Sequence, residues 1–170
     1  ANLLGLGKEV YYSFPTSIPT LDASDPVSTL GWARFTSLQQ VRAKVALSYI
    51  SSITDLRFLK TNDASAFNTI TFANNNQTSS AAYAHYPSAT ADGSDLFLDN
   101  SDQVGNATIA DGTYAALTLI HELGHALGLK HPFSAPDSEG QISDPPYLSA
   151  AEEVTAWTVM SYEDSADQFH

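Results

Sequence analysis

The stretch HELGHALGLKH, residues 121–131, constrains this 170-residue chain more than any other part of it. It packs three of the chain's five histidines, one glutamate and two glycines into eleven positions. The run around it is apolar on nearly every side, through Leu117, Leu119, Ile120, Leu123 and Leu127, so residues 113–128 read as a buried helix with Thr113 as N-cap. Histidines four residues apart stand one turn apart on one helix face, so His121 and His125 are placed to share a metal ion. Glu122 lies about 100° round the axis, beside such an ion and not on it, where it can act as general base towards water. Gly128 can take the left-handed conformation that ends a helix and turns the chain. That turn would return His131 to the same ion as third ligand. Three nitrogen ligands with a position left open describe a catalytic zinc site, whereas a structural site closes with a fourth protein ligand. Cobalt or manganese can substitute in such a donor set. The rival reading is a helix that merely contains histidine. Buried histidines without a shared partner are costly to desolvate, which weighs against it.

The remainder of the chain supplies the frame. Its length suits one domain with a real core. Nineteen acidic against seven basic residues give a net charge of −12; such a field repels phosphate backbones and anionic lipid, so neither nucleic acid nor membrane is an expected partner. No apolar stretch is long enough for a membrane span. The absence of cysteine excludes disulfides, thiolate ligands and a thiol nucleophile. The opening ANLLGLGKEV lacks the layout of a signal peptide, so the sequence reads as a mature or trimmed form.

Strands are expected at 9–14 (EVYYSF), 56–59 (LRFL), 69–73 (TITFA) and 95–99 (DLFLD), with a further one at 81–86 (AAYAHY) ended by Pro87. Residues 37–53 read as a helix, with Leu38, Val41, Val45 and Tyr49 near helical spacing and Ser37 with Gln40 as capping box. After residue 131 the pattern dissolves into a Pro- and Ser-rich irregular segment. Strands with one helix, a second helix carrying the motif and a loop-rich end make an α+β chain.

HExxHxxGxxH followed by a Met-turn is the metzincin signature, and TVMSY (158–162) resembles that turn, with Met160 at its centre. Pro132 after the third histidine and Tyr162 two residues after Met160 resemble the serralysin branch of secreted bacterial zinc endopeptidases. VYYSF, the helix from residue 37, AYAHYP and LIHELGHALGLKHP also occur in that family's order, so the resemblance covers most of residues 8–162. It implies a metzincin-like fold: a twisted, mostly parallel five-stranded sheet with two main helices and a loop-rich C-terminal subdomain. The whole of 1–170 would be the catalytic domain, divided near residue 128 into an N-terminal part (1–128) and a truncated C-terminal part (129–170). It implies a secreted, extracellular enzyme that hydrolyses peptide bonds of extended protein substrates through metal-activated water. Zn2+ is held by His121, His125 and His131, and Glu122 is the base. Tyr162 is a switchable ligand that swings away on substrate binding and then stabilises the oxyanion. AYAHY is the edge strand that pairs with the peptide. A proteinaceous peptidase inhibitor is a further candidate partner.

Two departures stand out. The sequence runs only eight residues past Tyr162, where the family continues into a helix and a calcium-binding repeat domain, and no GGxGxD-type repeat occurs in it. Glu163 also stands where the family has an aromatic residue. Asp92, Asp95, Asp99 and Asp102 raise Ca2+ as a second ion, without matching the EF-hand pattern; aspartates bounding a strand are more often turn formers. His85 reads as solvent-facing with substrate contact as the alternative, and Glu152 and Glu153 as a solvated turn. A zinc-bound peptide-binding module with little turnover is the alternative function. Retention of Glu122 counts against it, because a module without turnover has no use for a base.

Overall fold

In the computed structural model, which describes residues 7–19, 22–90, 92–101, 105–136 and 142–164, all five expected strands pair into one sheet. They are β1 (Glu9–Ser13), β3 (Arg57–Lys60), β4 (Thr69–Asn75), β5 (Ala82–Ala84) and β6 (Asp95–Asp99). A sixth, β2 (Ala33–Arg34), is two residues long, too short to show any period in the sequence. The order is β3-β1-β4-β6-β5. The pairs β1/β3, β1/β4 and β4/β6 are parallel, and β5 closes the edge antiparallel to β6. Antiparallel β2 pairs with Ala73 and Asn74, past the part of β4 that β1 occupies. The result is a mixed, mostly parallel sheet of six strands, one more than the sequence led us to expect. Every residue of β4 and β6 is buried, as expected of parallel strands covered on both faces.

The described residues form three α-helices, α1 (Pro26–Thr29), α2 (Ser37–Ile53) and α3 (Tyr114–Ala126). The short α1, unforeseen in the sequence, starts at Asp25, whose carboxylate accepts from the Val27 and Ser28 N–H groups. The capping box of α2 sits one residue earlier than expected. Thr36, still extended, accepts from the Gln39 N–H, and the Gln39 side chain accepts from the Thr36 N–H.

The side chains whose spacing announces α2 are not the ones it buries. Leu38, Val41, Val45 and Tyr49 are exposed, while Gln39, Ala43, Ala46, Leu47 and Ile50 face the core. Small alanines let the helix approach the sheet closely, and Gln39 satisfies its buried amide by donating to Asn74 Oδ1 at 2.8 Å and the Asn106 carbonyl at 3.1 Å. The rings of Phe14, Phe35 and Phe72 lie 5.2 to 6.0 Å apart, with Phe35 and Phe72 in the core and Phe14 packed against it.

Helix α3 is buried along most of its length, with Leu119 and Leu123 fully inside. Each such leucine contributes about 2 kcal/mol by burial. The motif is therefore carried on a core element. By its contacts the chain separates into two units, Ala1–Gly128 and Leu129–His170. The first contains the sheet and all three helices. The second has neither helix nor strand among its described residues, and its order comes from local contacts. Lys130 donates to the Asp144 and Pro146 carbonyls and lies 5.0 Å from the centre of the Tyr147 ring. The Leu148 N–H reaches the Pro132 carbonyl at 2.9 Å. No described helix is long and apolar enough to cross a membrane.

Candidate metal centre

Thr113 begins α3 as expected, its hydroxyl accepting from the Ala116 N–H at 3.4 Å. The helix then carries His121 and His125 onto one face, with ring centroids 4.7 Å apart and planes at 84°. His121, Glu122 and His125 are each only 7% exposed. A glutamate that deep needs a chemical reason, since a buried carboxylate must be paired or must work. At its C-terminal end the helix tightens: the Leu127 N–H bonds to Leu123 and Gly124, and the Gly128 N–H to the His125 carbonyl at 2.8 Å. Gly128 then turns left-handed with φ 97°. An added Cβ there would meet only Pro87 at 3.6 Å, an ordinary contact, so glycine is required by the backbone and not by space.

Within the second unit, His131 is buried and stacks on Phe133, centroids 4.9 Å apart and planes 9° from parallel. Tyr162 packs against both, at 4.7 Å from His131 and 5.2 Å from Phe133, with half its surface exposed. The segment leading to it is a tight turn. Thr158 Oγ1 accepts from the Met160 N–H at 3.2 Å, its carbonyl accepts from the Ser161 N–H, and Met160 is buried. The Ser161 hydroxyl donates to the Glu153 carbonyl and accepts from the Glu163 N–H, and the Glu163 carbonyl accepts from the Thr155 N–H. Glu163, the departure from the family pattern, thus takes part in this turn through its backbone.

Two neighbours of these residues escaped sequence reasoning. Phe133 backs His131, and the Tyr86 ring meets His125 edge-on at 5.3 Å. For Phe133 the only signal was an aromatic two residues past the last histidine of the motif. For Tyr86 it was an aromatic just before the proline expected to end a strand.

The aspartates of the 92–102 stretch serve their own surroundings. Thr71 donates to Asp95, while Asp99 accepts from the Gln77 and Ser101 N–H groups and the Ser101 hydroxyl. Burial opposes charge on Asp99, yet the donations from Ser101, Gln77 and Asn100 outweigh it and hold its carboxyl below the usual carboxylate range. Asp102 lies outside the described residues. His85 is about one-third exposed, with its Nδ1 3.7 Å from Asp92 and its ring edge-on to Tyr83. Glu152 and Ser149 hold a turn, the glutamate accepting from the Ser149 hydroxyl at 2.7 Å.

Residues 34–140 match the matrixin family (Peptidase_M10). The chain is 31% identical over 169 residues to Serralysin B of Dickeya chrysanthemi, an alignment that covers 95% of this chain and 34% of that protein. It is 32% identical to Serralysin of Proteus mirabilis, over 95% of this chain and 35% of the other. With Metalloprotease AprA of Pseudomonas entomophila it shares 31% identity, over 89% and 31% respectively. The chain therefore spans about a third of the length of these relatives.

Proposed function

Since the chain belongs to the matrixin family, as a serralysin-like metzincin catalytic domain, we propose that it is a zinc-dependent endopeptidase acting on extended protein substrates outside the cell. The observation that carries this reading is the face of α3, where a buried glutamate accompanies two buried histidines one turn apart. His131 is the third ligand in this proposal. In this reading the two imidazoles of α3, His121 and His125, and the buried His131 of the second unit supply the three nitrogen donors of one ion. An all-imidazole set fits zinc better than the hard, oxygen-seeking calcium or magnesium.

Zinc, when bound, acts as a Lewis acid on the scissile carbonyl and makes water nucleophilic at neutral pH. The protein's own groups do the rest. Glu122 takes a proton from the attacking water and passes it to the leaving amine as the C–N bond breaks. Its burial keeps that proton from being lost to bulk solvent. The Tyr162 hydroxyl donates a hydrogen bond to the oxyanion that forms at the attacked carbon. Tyr162 is half-exposed and packs on the His131–Phe133 stack, which keeps its ring beside the proposed third ligand. Among the described residues β5 is the last strand of the sheet, the position where an extended peptide can add as a further strand.

The direct test is hydrolysis of casein by the purified chain. Cleavage abolished by a chelator and restored by zinc is the expected result. Stoichiometric zinc with no cleavage would favour the peptide-binding module instead.

Tyr162→Phe separates the tyrosine's chemistry from its packing. Zinc should stay, because three histidines still hold it. The loss should fall chiefly on kcat, because the missing hydrogen bond belongs to the transition state. One such donor is worth about 3 kcal/mol, or on the order of a hundredfold in rate. An unchanged kcat with zinc intact would reduce Tyr162 to packing beside His131.

A further inference from the structure

Tyr86 belongs to none of the groups placed so far in the chemistry, yet its ring stands edge-on to His125, 5.3 Å between centroids and 72° between planes. Its position is fixed from two sides. The hairpin of β5 with β6 continues past Ala84 through the His85 N–H to the Asp95 carbonyl at 2.9 Å, then through the Ser94 N–H to the Tyr86 carbonyl at 3.4 Å. Pro87 follows, three residues past the end of β5, and removes the next backbone donor. The Pro87 ring lies against Gly128, the residue at which α3 turns. Tyr86 is thereby tied to the edge of the sheet and to the end of the motif helix at once.

Strand β5 covers Ala82–Ala84, and Tyr86 follows two residues beyond it, the position that continued alternation sets on the face of Ala82 and Ala84. Ala82 and Ala84 are small and pack with the core, leaving Tyr86 the first large side chain on that face, just past the end of the strand. Its two sides differ sharply in surroundings. One meets His125, itself 7% exposed, while 47% of the tyrosine remains open to solvent. An anchored aromatic surface thus lies beside a candidate metal ligand and at the end of the strand edge.

We propose that Tyr86 is a specificity-determining residue, the aromatic wall that receives one side chain of a peptide laid along β5. This rests on the endopeptidase reading above. A peptide that adds to the edge of β5 directs every second side chain to the face on which Tyr86 stands. One of these reaches the strand's end and meets the open part of the ring. Aromatic and large aliphatic side chains gain most from such a surface, because ring contact adds to the area they bury. Tyr86 therefore selects among substrates and takes no part in bond making or proton transfer.

The test is a position-scanned library of eight-residue peptides, cleaved by the wild type, Tyr86→Phe and Tyr86→Ala, with the zinc content of each protein measured. The wild type should prefer aromatic or large aliphatic residues over alanine at one position by about three- to tenfold in kcat/KM. Tyr86→Phe keeps the ring and should keep that preference. Tyr86→Ala should abolish it at that position alone, mainly through KM, with zinc content and preferences elsewhere unchanged. A preference that survives Tyr86→Ala in a zinc-loaded, cleaving enzyme overturns the assignment and leaves the endopeptidase reading intact. Loss of zinc in Tyr86→Ala also overturns it, making Tyr86 a support for His125. A wild type that binds zinc and cleaves no peptide removes the underlying reading, and this assignment falls with it.

Discussion

Glu122→Gln should lower kcat by about two to four decades while the protein keeps its zinc, the range expected when a positioned general base is removed. The substitution changes little except the chemistry. Glutamine has the same length and shape, and a neutral amide at a position only 7% exposed brings no new burial penalty for charge. What disappears is the ability to accept a proton from water and hand it to the leaving amine. Helical geometry sets the residue about 100° from His121, so the histidine face should bind metal as before. Zinc content by elemental analysis and kcat on one peptide substrate check both halves. Zinc lost together with activity would show that Glu122 is itself a ligand. A rate within a few-fold of wild type, with zinc retained, would mean that another group carries the proton.

How much of this was legible in the sequence depended on where each signal lay. Helix α3 could be read in full because cap, apolar faces, histidine spacing and terminal glycine all fall within one continuous run. The strands β4 and β6 were equally plain, as short apolar runs between turn formers. Helix α2 shows the limit of periodicity. Its spacing gave the right span, but the exposed stripe Leu38, Val41, Val45 and Tyr49 carries the strong apolar signal. The buried face reads weakly because close approach to the sheet selected alanines and a hydrogen-bonded glutamine. Its capping box was displaced by one residue because both Thr36 and Ser37 can cap, and only the backbone leaving β2 decides between them.

The site divides in the same way. His121, Glu122 and His125 follow from spacing on a helix, whereas Tyr162 came from resemblance to a family, with no local rule linking it to His131. The packing of Tyr162 on His131 and Phe133 is a tertiary fact, as is the seat of Tyr86 beside His125. Both tyrosines are half-exposed, so neither burial nor composition marks them out. Contacts between residues distant in the chain leave no periodic trace, and these were the ones missed or borrowed.

The claim on which everything else rests is that His131 completes a three-histidine zinc site, and His131→Ala tests it most directly. A structural four-ligand zinc site is worth about 10–16 kcal/mol, so one ligand accounts for about 3 kcal/mol or more. Removing His131 should therefore weaken zinc binding by at least about a hundredfold, with peptide cleavage lost in proportion. Phe133 and Tyr162 lose a stacking partner as well, so folding of the variant is to be checked by circular dichroism. The measurement is zinc retention during titration with a competing chelator, for the wild type and the folded variant side by side. The account predicts that the wild type holds one zinc per chain at chelator concentrations that strip the variant. A folded His131→Ala protein that retains stoichiometric zinc as tightly as the wild type would contradict it.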